Sequence, residues 1–221
     1  MALKLTNEEK KILAANSFDT ASIESGNLDE AGRAILEEMR VVSDYLKEKY
    51  EGYNIEVTGC EPKEGTARTY NEWFFKVKEV EREEAFIARA ENADGTISIS
   101  DDFYGELIRE DAIKEIKEIL KKNGYLATLI DVSFWEYFGK EYGKNLSAAD
   151  VLMGKIPAEN DIKIFMDGSR ILGDDYELAT EKIENILKKA EIKGDIYVVF
   201  LKSADGDVIK DRLYSDSFEL E

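Results

Sequence analysis

Phe86-Ile87-Ala88-Arg89-Ala90-Glu91-Asn92-Ala93-Asp94-Gly95-Thr96-Ile97-Ser98-Ile99-Ser100 reads as strand, turn, strand. Phe86 and Ala88 alternate with Ile87 and Arg89, and Ile97 and Ile99 alternate with Ser98 and Ser100. That is the period of a strand with one buried face. Asp94-Gly95 supplies two consecutive residues that tolerate positive φ, which a two-residue hairpin turn requires. Working back along the chain, Asn71–Val80 places Trp73, Phe75 and Val77 on one side, and Asn54–Cys60 does the same with Ile55 and Val57. Phe74 falls opposite Trp73 and Phe75, so both faces of that strand need cover.

Helices bracket these strands. Thr6 and Glu9 have capping-box spacing, predicting a helix from Asn7 to Ala15. Asn16–Asn27 is small and polar and reads as loop. Asp29 then opens a long helix whose stripe is Ile35, Met39, Val42 and Leu46, with Glu37, Glu38, Lys47 and Glu48 facing elsewhere and Gly52 beyond its end. After the hairpin, Asp102–Asn123 repeats the pattern with Leu107, Ile113, Ile116 and Leu120, closed by Asn123-Gly124. An order of helix, four strands and helix predicts an antiparallel sheet with amphipathic helices packed on one face.

The second half follows similar logic. Tyr125–Val132 is a strand and Asp161–Met166 another. Asp174–Ala190 is a helix burying Leu178, Ile183, Ile186 and Leu187; Asp195–Leu201 is strongly β-forming, and Asp205-Gly206 turns it toward a last strand at Val208–Tyr214. The fold class expected is therefore α+β, with mostly antiparallel sheet and a hairpin in each half. Residues 1–27 form an N-terminal helix and loop, 28–124 a first lobe and 125–221 a second. A soft boundary over 139–155 leaves one domain or two open. The two Asp-Gly hairpins echo each other, and a shared turn type accounts for that without duplication.

Composition narrows the chemistry mainly by exclusion. The 221 residues contain no histidine and one cysteine, with 48 acidic against 30 basic residues and a formal net charge of -18. Ser-His-Asp and Cys-His nucleophiles are impossible within this chain, as are histidine-based zinc and iron sites. Cys60 cannot make an internal disulfide and reads as an ordinary packed thiol. Gly139-Lys140-Glu141-Tyr142-Gly143-Lys144-Asn145 has the wrong glycine spacing for a phosphate-binding loop and lacks the magnesium-binding hydroxyl. No cofactor or metal is expected. The scattered basic residues and the negative charge argue against nucleic acid and anionic membranes. No apolar run approaches a membrane span, and no apolar leader opens the chain, so the expected compartment is the cytoplasm. Asn145-Leu146-Ser147 has the form of a glycosylation sequon and carries no weight there.

Two groups of candidate site residues remain. Asp101, Asp102 and Glu106 gather, with Glu110, at a helix start, where paired carboxylates could serve a glycosidase or a metal-dependent hydrolase. Acids in that position also cap free amides and complement the helix dipole, and this plainer role is favoured. Asp205, Asp207 and Asp211 resemble a calcium loop only loosely. The second group is aromatic: Phe134, Phe138 and Tyr142 recur every four residues, one stripe if helical, with Trp135 and Tyr137 turned elsewhere. Trp135, Tyr137, Phe138 and Tyr142 are candidate contacts for a partner or ligand; the alternative is a core staple. The sequence thus leans away from catalysis and assigns no catalytic residue. It leads first to an acidic binding protein, of the inhibitor or immunity type, masking a basic protein surface. The alternatives are a carboxylate-dependent hydrolase using Asp101, Asp102 or Glu106, and a ligand-binding module with an aromatic-lined pocket.

Overall fold

The computed structural model describes residues 2–17, 19–142, 147–156 and 158–221. Its fold is α+β, with two mostly antiparallel sheets. The chain forms two compact units. The first contains the described residues up to Phe103 and Tyr137–Tyr142; the second contains Tyr104–Glu136 and the described residues from Ser147 onward. Among the described residues no helix is long and apolar enough to cross a membrane.

In the first unit, helices α1 (Asn7–Asn16), α2 (Thr20–Ser25) and α3 (Glu30–Lys49) precede strands β1 (Ile55–Glu61), β2 (Asn71–Val77), β3 (Phe86–Ala93) and β4 (Thr96–Asp101). The Thr6–Glu9 capping box is present at α1, and Asp29 caps α3 by accepting from the Gly32 N–H. The segment expected to be loop over 16–27 instead holds α2. Asp19 caps it, and it ends at Gly26, whose φ of 72° is left-handed. Gly26 N donates to Ile23, Gly26 O accepts from Leu3 N, and a Cβ at Gly26 would lie 2.1 Å from the Leu3 carbonyl oxygen. The helix was hidden because its six residues are too few to show a period.

The sheet of this unit runs β1-β2-β3-β4 and ends on a two-residue strand, β6 (Phe138–Gly139), all antiparallel. Helices α1 and α3 lie against β1, and α3 also reaches β3 and β4. Trp73, Phe75, Val77, Phe86 and Ala88 are buried, as their alternation predicts. Phe103 inserts among Tyr50, Tyr53, Phe75 and Phe86 with ring centroids between 4.8 and 6.3 Å. On α3 the stripe is Leu36, Met39, Val42 and Leu46, with Ile35 only half-buried. Glu38, expected to face outward, is buried. Its Oε1 accepts from the Trp73 indole at 2.6 Å and the Asn71 amide at 2.7 Å, so β2 supplies the donors that make burial tolerable.

The second unit contains most of α4 (Phe103–Lys122) together with β5 (Ala127–Phe134), α5 (Ala148–Leu152), β7 (Asn160–Asp167), α6 (Tyr176–Lys189), β8 (Gly194–Leu201) and β9 (Arg212–Leu220). The sheet order is β5-β7-β8-β9. β7 and β8 are parallel, with α6 as the crossover that parallel pairing requires; the other pairs are antiparallel. Helix α4 buries Ile108, Ala112, Ile116 and Leu120, one position off part of the expected stripe, and Leu178 of α6 is exposed while Ala179 is buried. The last strand starts at Arg212 rather than Val208, because the Asp207 carboxylate accepts from the Ile209 and Lys210 N–H groups and holds 207–210 as a turn. The Asp211 carboxylate likewise accepts from Asp207 N. Ser147 of the sequon caps α5 through a capping box with Asp150; Asn145 and Leu146, like Gly143 and Lys144, lie outside the described residues.

The first unit contains a buried ion pair. Lys49 Nζ lies 2.7 Å from Asp101 Oδ2, with the two side chains 1% and 0% exposed. Removing one member strands the other without water, at a typical cost of about 3–5 kcal/mol. Lys49→Met is therefore expected to lower unfolding free energy in urea by about that amount. A Lys49→Met/Asp101→Asn double variant should recover part of the loss, and strictly additive losses would contradict this assignment.

Candidate functional site

The Lys49–Asp101 pair sits under a groove formed wholly within the first unit. Asp101 is the last residue of β4, and its carboxylate is fully engaged. Oδ2 accepts from Lys49 and from the Tyr45 hydroxyl at 2.8 Å, and Oδ1 from the Tyr50 hydroxyl at 2.5 Å and Phe103 N at 3.1 Å. Lys49 also donates to the Phe138 carbonyl at 2.6 Å and to the Tyr45 oxygen at 3.1 Å. Burial pulls the Lys49 ammonium below its ordinary range, with Asp101 opposing the shift. Burial, reinforced by Asp101, pushes the Tyr45 and Tyr50 hydroxyls far up, so both remain protonated donors.

Above this network, Val41, Asp44, Tyr45 and Glu48 of α3 face Ile97–Ser100 of β4 across an open groove of about 690 Å³. Tyr137 and Gly139–Tyr142 line the rest of it. The lining combines aromatic and aliphatic surface with the carboxylates of Asp44, Glu48 and Glu141. Lys140 is engaged by Glu48. Tyr137 stacks under Arg89, whose guanidinium carbon is 3.4 Å from the ring centroid.

Tyr137 and Tyr142 are half-buried and line the groove. Phe138 is buried, 6.3 Å from the Tyr142 ring in an edge-on arrangement, and its backbone belongs to the network beneath. Trp135 belongs to the second unit and is 68% exposed. Phe134, Phe138 and Tyr142 do not form a helical stripe. Phe134 ends β5 opposite Asn160, Phe138 lies in β6, and Tyr142 is in a 3₁₀ turn over Lys140–Tyr142. Ladder pairing at Phe134 and Phe138 overrides the four-residue spacing of the segment.

The acids also separate. Asp101 is interior. Asp102 caps the β3 end of the hairpin, accepting from Ile87 N at 2.9 Å while its own N–H donates to Ile87 O at 3.2 Å. Glu106 lies in the second unit, half-buried, 3.4 Å from Arg109. Among the described residues no group of three or more Cys, Asp or Glu side chains is arranged to hold a metal ion. The Cys60 thiol is pushed up to about 12, chiefly by burial, which suppresses thiolate reactivity. The residues that sequence reasoning passed over are Tyr45, Lys49 and Tyr50. Their spacing on α3 was visible, but each also fits a solvated helix face.

No family model matches this chain, and no curated protein matches it. A solved structure does. It is a DUF5037 family protein from Ruminococcus gnavus ATCC 29149, 16% identical, with a TM-score of 0.37 over 73% of this chain and 74% of that one. At that overlap neither a shared fold nor a shared role follows.

Asp102 gives this histidine-free chain a titration near neutrality. Burial raises its carboxyl to about 6, the Asp101 charge adding to the rise and the Ile87 N–H and Arg82 opposing it. A folded-state value above the ordinary one means the folded chain binds the proton more tightly. This group's contribution to stability therefore increases as pH falls from 7 to 4 and is lost as pH rises through about 6. Asp102→Asn keeps the oxygen that accepts from Ile87 and should flatten the stability profile between those limits, by up to about 3 kcal/mol. Chemical unfolding across that pH range checks it; an unchanged slope would exclude Asp102 as the titrating group.

Proposed function

We propose that the chain is a non-catalytic acidic binding protein that masks a basic protein surface, an inhibitor-type role, with the groove between α3 and β4 as its contact site. The observation that carries this reading is the pairing of tyrosine surface with carboxylates in one groove. Tyr45, Tyr137 and Tyr142 offer aromatic surface, and Asp44 and Glu141 stand beside them. Aromatic faces bind cationic side chains through their quadrupoles and pack on aliphatic stems, while carboxylates steer and pair the cationic heads. The formal charge of -18 extends the same preference over long range.

The ion pair below suits such a role. Lys49 and Asp101 neutralise each other and the tyrosine hydroxyls hold them in place, so the groove floor is rigid before a partner arrives. Calorimetric titration with an arginine-rich peptide, at about 0.05 M and about 0.5 M salt, tests the reading. Affinity should fall steeply with salt, and an Asp44→Lys/Glu141→Lys variant should bind about tenfold more weakly. Salt-indifferent binding, or binding unaffected by the charge reversals, would overturn it.

A further inference from the structure

The same groove exposes an unused sheet edge. Strand β4 is paired along its whole length with β3, but on its other side β6 covers only Ser100, opposite Gly139, and Asp101, opposite Phe138. At Lys140 the chain leaves the sheet for a 3₁₀ turn. Thr96–Ile99 therefore have a strand neighbour on one side only, among the described residues.

The direction of the free groups follows from the hairpin. Asp94 and Gly95 have φ of 53° and 80°, the signature of a type I′ turn. The pair closing such a turn, Ala93 and Thr96, is hydrogen-bonded, and pairs then alternate. At the far end of the ladder the Asp102 N–H donates to Ile87 O, in the same phase. Ile97 and Ile99 consequently turn both N–H and C=O away from β3, toward the groove. Their side chains share a face with Asp101, whose carboxylate meets Lys49 and Tyr45 of α3.

We propose that the groove binds its partner by strand addition: an extended basic segment of another protein pairs with the open edge of β4 at Ile97 and Ile99, continuing the line of β6. This rests on the groove being the contact site for a basic partner, and it specifies how that partner is held. Main-chain hydrogen bonds to Ile97 and Ile99 supply sequence-independent affinity, and alternate side chains supply the preference. A partner residue opposite Ile99 points toward α3. Its stem meets Ile99, Val41 and Tyr45, and its head reaches the carboxylates of Asp44 and Glu141. Lysine and arginine have that shape, an apolar stem under a charged tip. A second copy of this chain does not suit the edge, because edge-to-edge pairing would bring two sets of these carboxylates together.

The test uses the full chain, labelled for amide exchange by NMR, and a blocked hexapeptide alternating arginine and threonine. Binding should slow exchange at the Ile97 and Ile99 amides. The same peptide N-methylated on its edge-facing amides should bind about tenfold more weakly, having lost ladder donors. A glutamate-for-arginine peptide should not bind. If the arginine peptide shifts Tyr45 and Tyr137 resonances but leaves both isoleucine amides unprotected, and N-methylation costs nothing, strand addition is overturned while the groove remains the contact site. If no arginine peptide perturbs the groove, both readings fall. Protection of Ile97 and Ile99 in the free protein, lost on dilution, would identify a second copy as the occupant and overturn the proposal.

Discussion

The contact on which the first unit depends is the one between Lys49 and Asp101. Neither charge reaches water, so each is tolerable only because the other is 2.7 Å away and tyrosines and backbone complete the coordination. The pair joins parts of the chain that local structure would leave independent. Lys49 is the last residue of α3, Asp101 the last of β4, Phe103 the first of α4, and Phe138 belongs to β6. A shift of any one of these would expose a buried charge or an unpaired donor, so their positions are fixed together. Apolar packing of Phe103 against Tyr50, Phe75 and Phe86 supplies the driving force around this point.

That arrangement explains why the groove sits where it does. Two residues of β6 are held against β4 because the Phe138 carbonyl accepts from Lys49. At Lys140 the chain turns out of the sheet into a 3₁₀ turn, with Lys140 paired to Glu48. Among the described residues the edge of β4 is left open beside α3, and an open edge invites pairing. Acids on the bordering helix and turn restrict what can approach, which is how native sheets commonly limit edge-to-edge association. In the proposed role the same acids select a basic strand, so protection of the edge and choice of partner come from one set of charges.

Much of this chain's local structure is legible in order. The hairpin from Phe86 to Ser100, the Trp73–Val77 strand, the capped starts of α1 and α3 and the long helix after Asp102 follow from period, turn chemistry and caps, and the structure agrees with each to within a few residues. The disagreements have definite causes. Helices α2 and α5 are too short for periodicity. Glu38 is buried because an indole and an amide on another element happen to satisfy it. The aromatic run at 134–142 has helical spacing but is divided between ladder pairings with residues far away in sequence.

The sequence by itself determined the α+β class, the hairpin, the acidity and the loss of imidazole chemistry, because these depend on residue type and near-neighbour spacing. It also placed Asp101, Tyr137 and Tyr142 among the residues worth attention. Only the tertiary structure decided what they do. Asp101 turned inward because Lys49, 52 positions away, waits there with Tyr45 and Tyr50. Tyr137 and Tyr142 came to line a groove because Phe138 returns to β4 from outside the local sequence. Such pairings arise from the closure of long loops around a buried charge, and no local pattern in the chain records them.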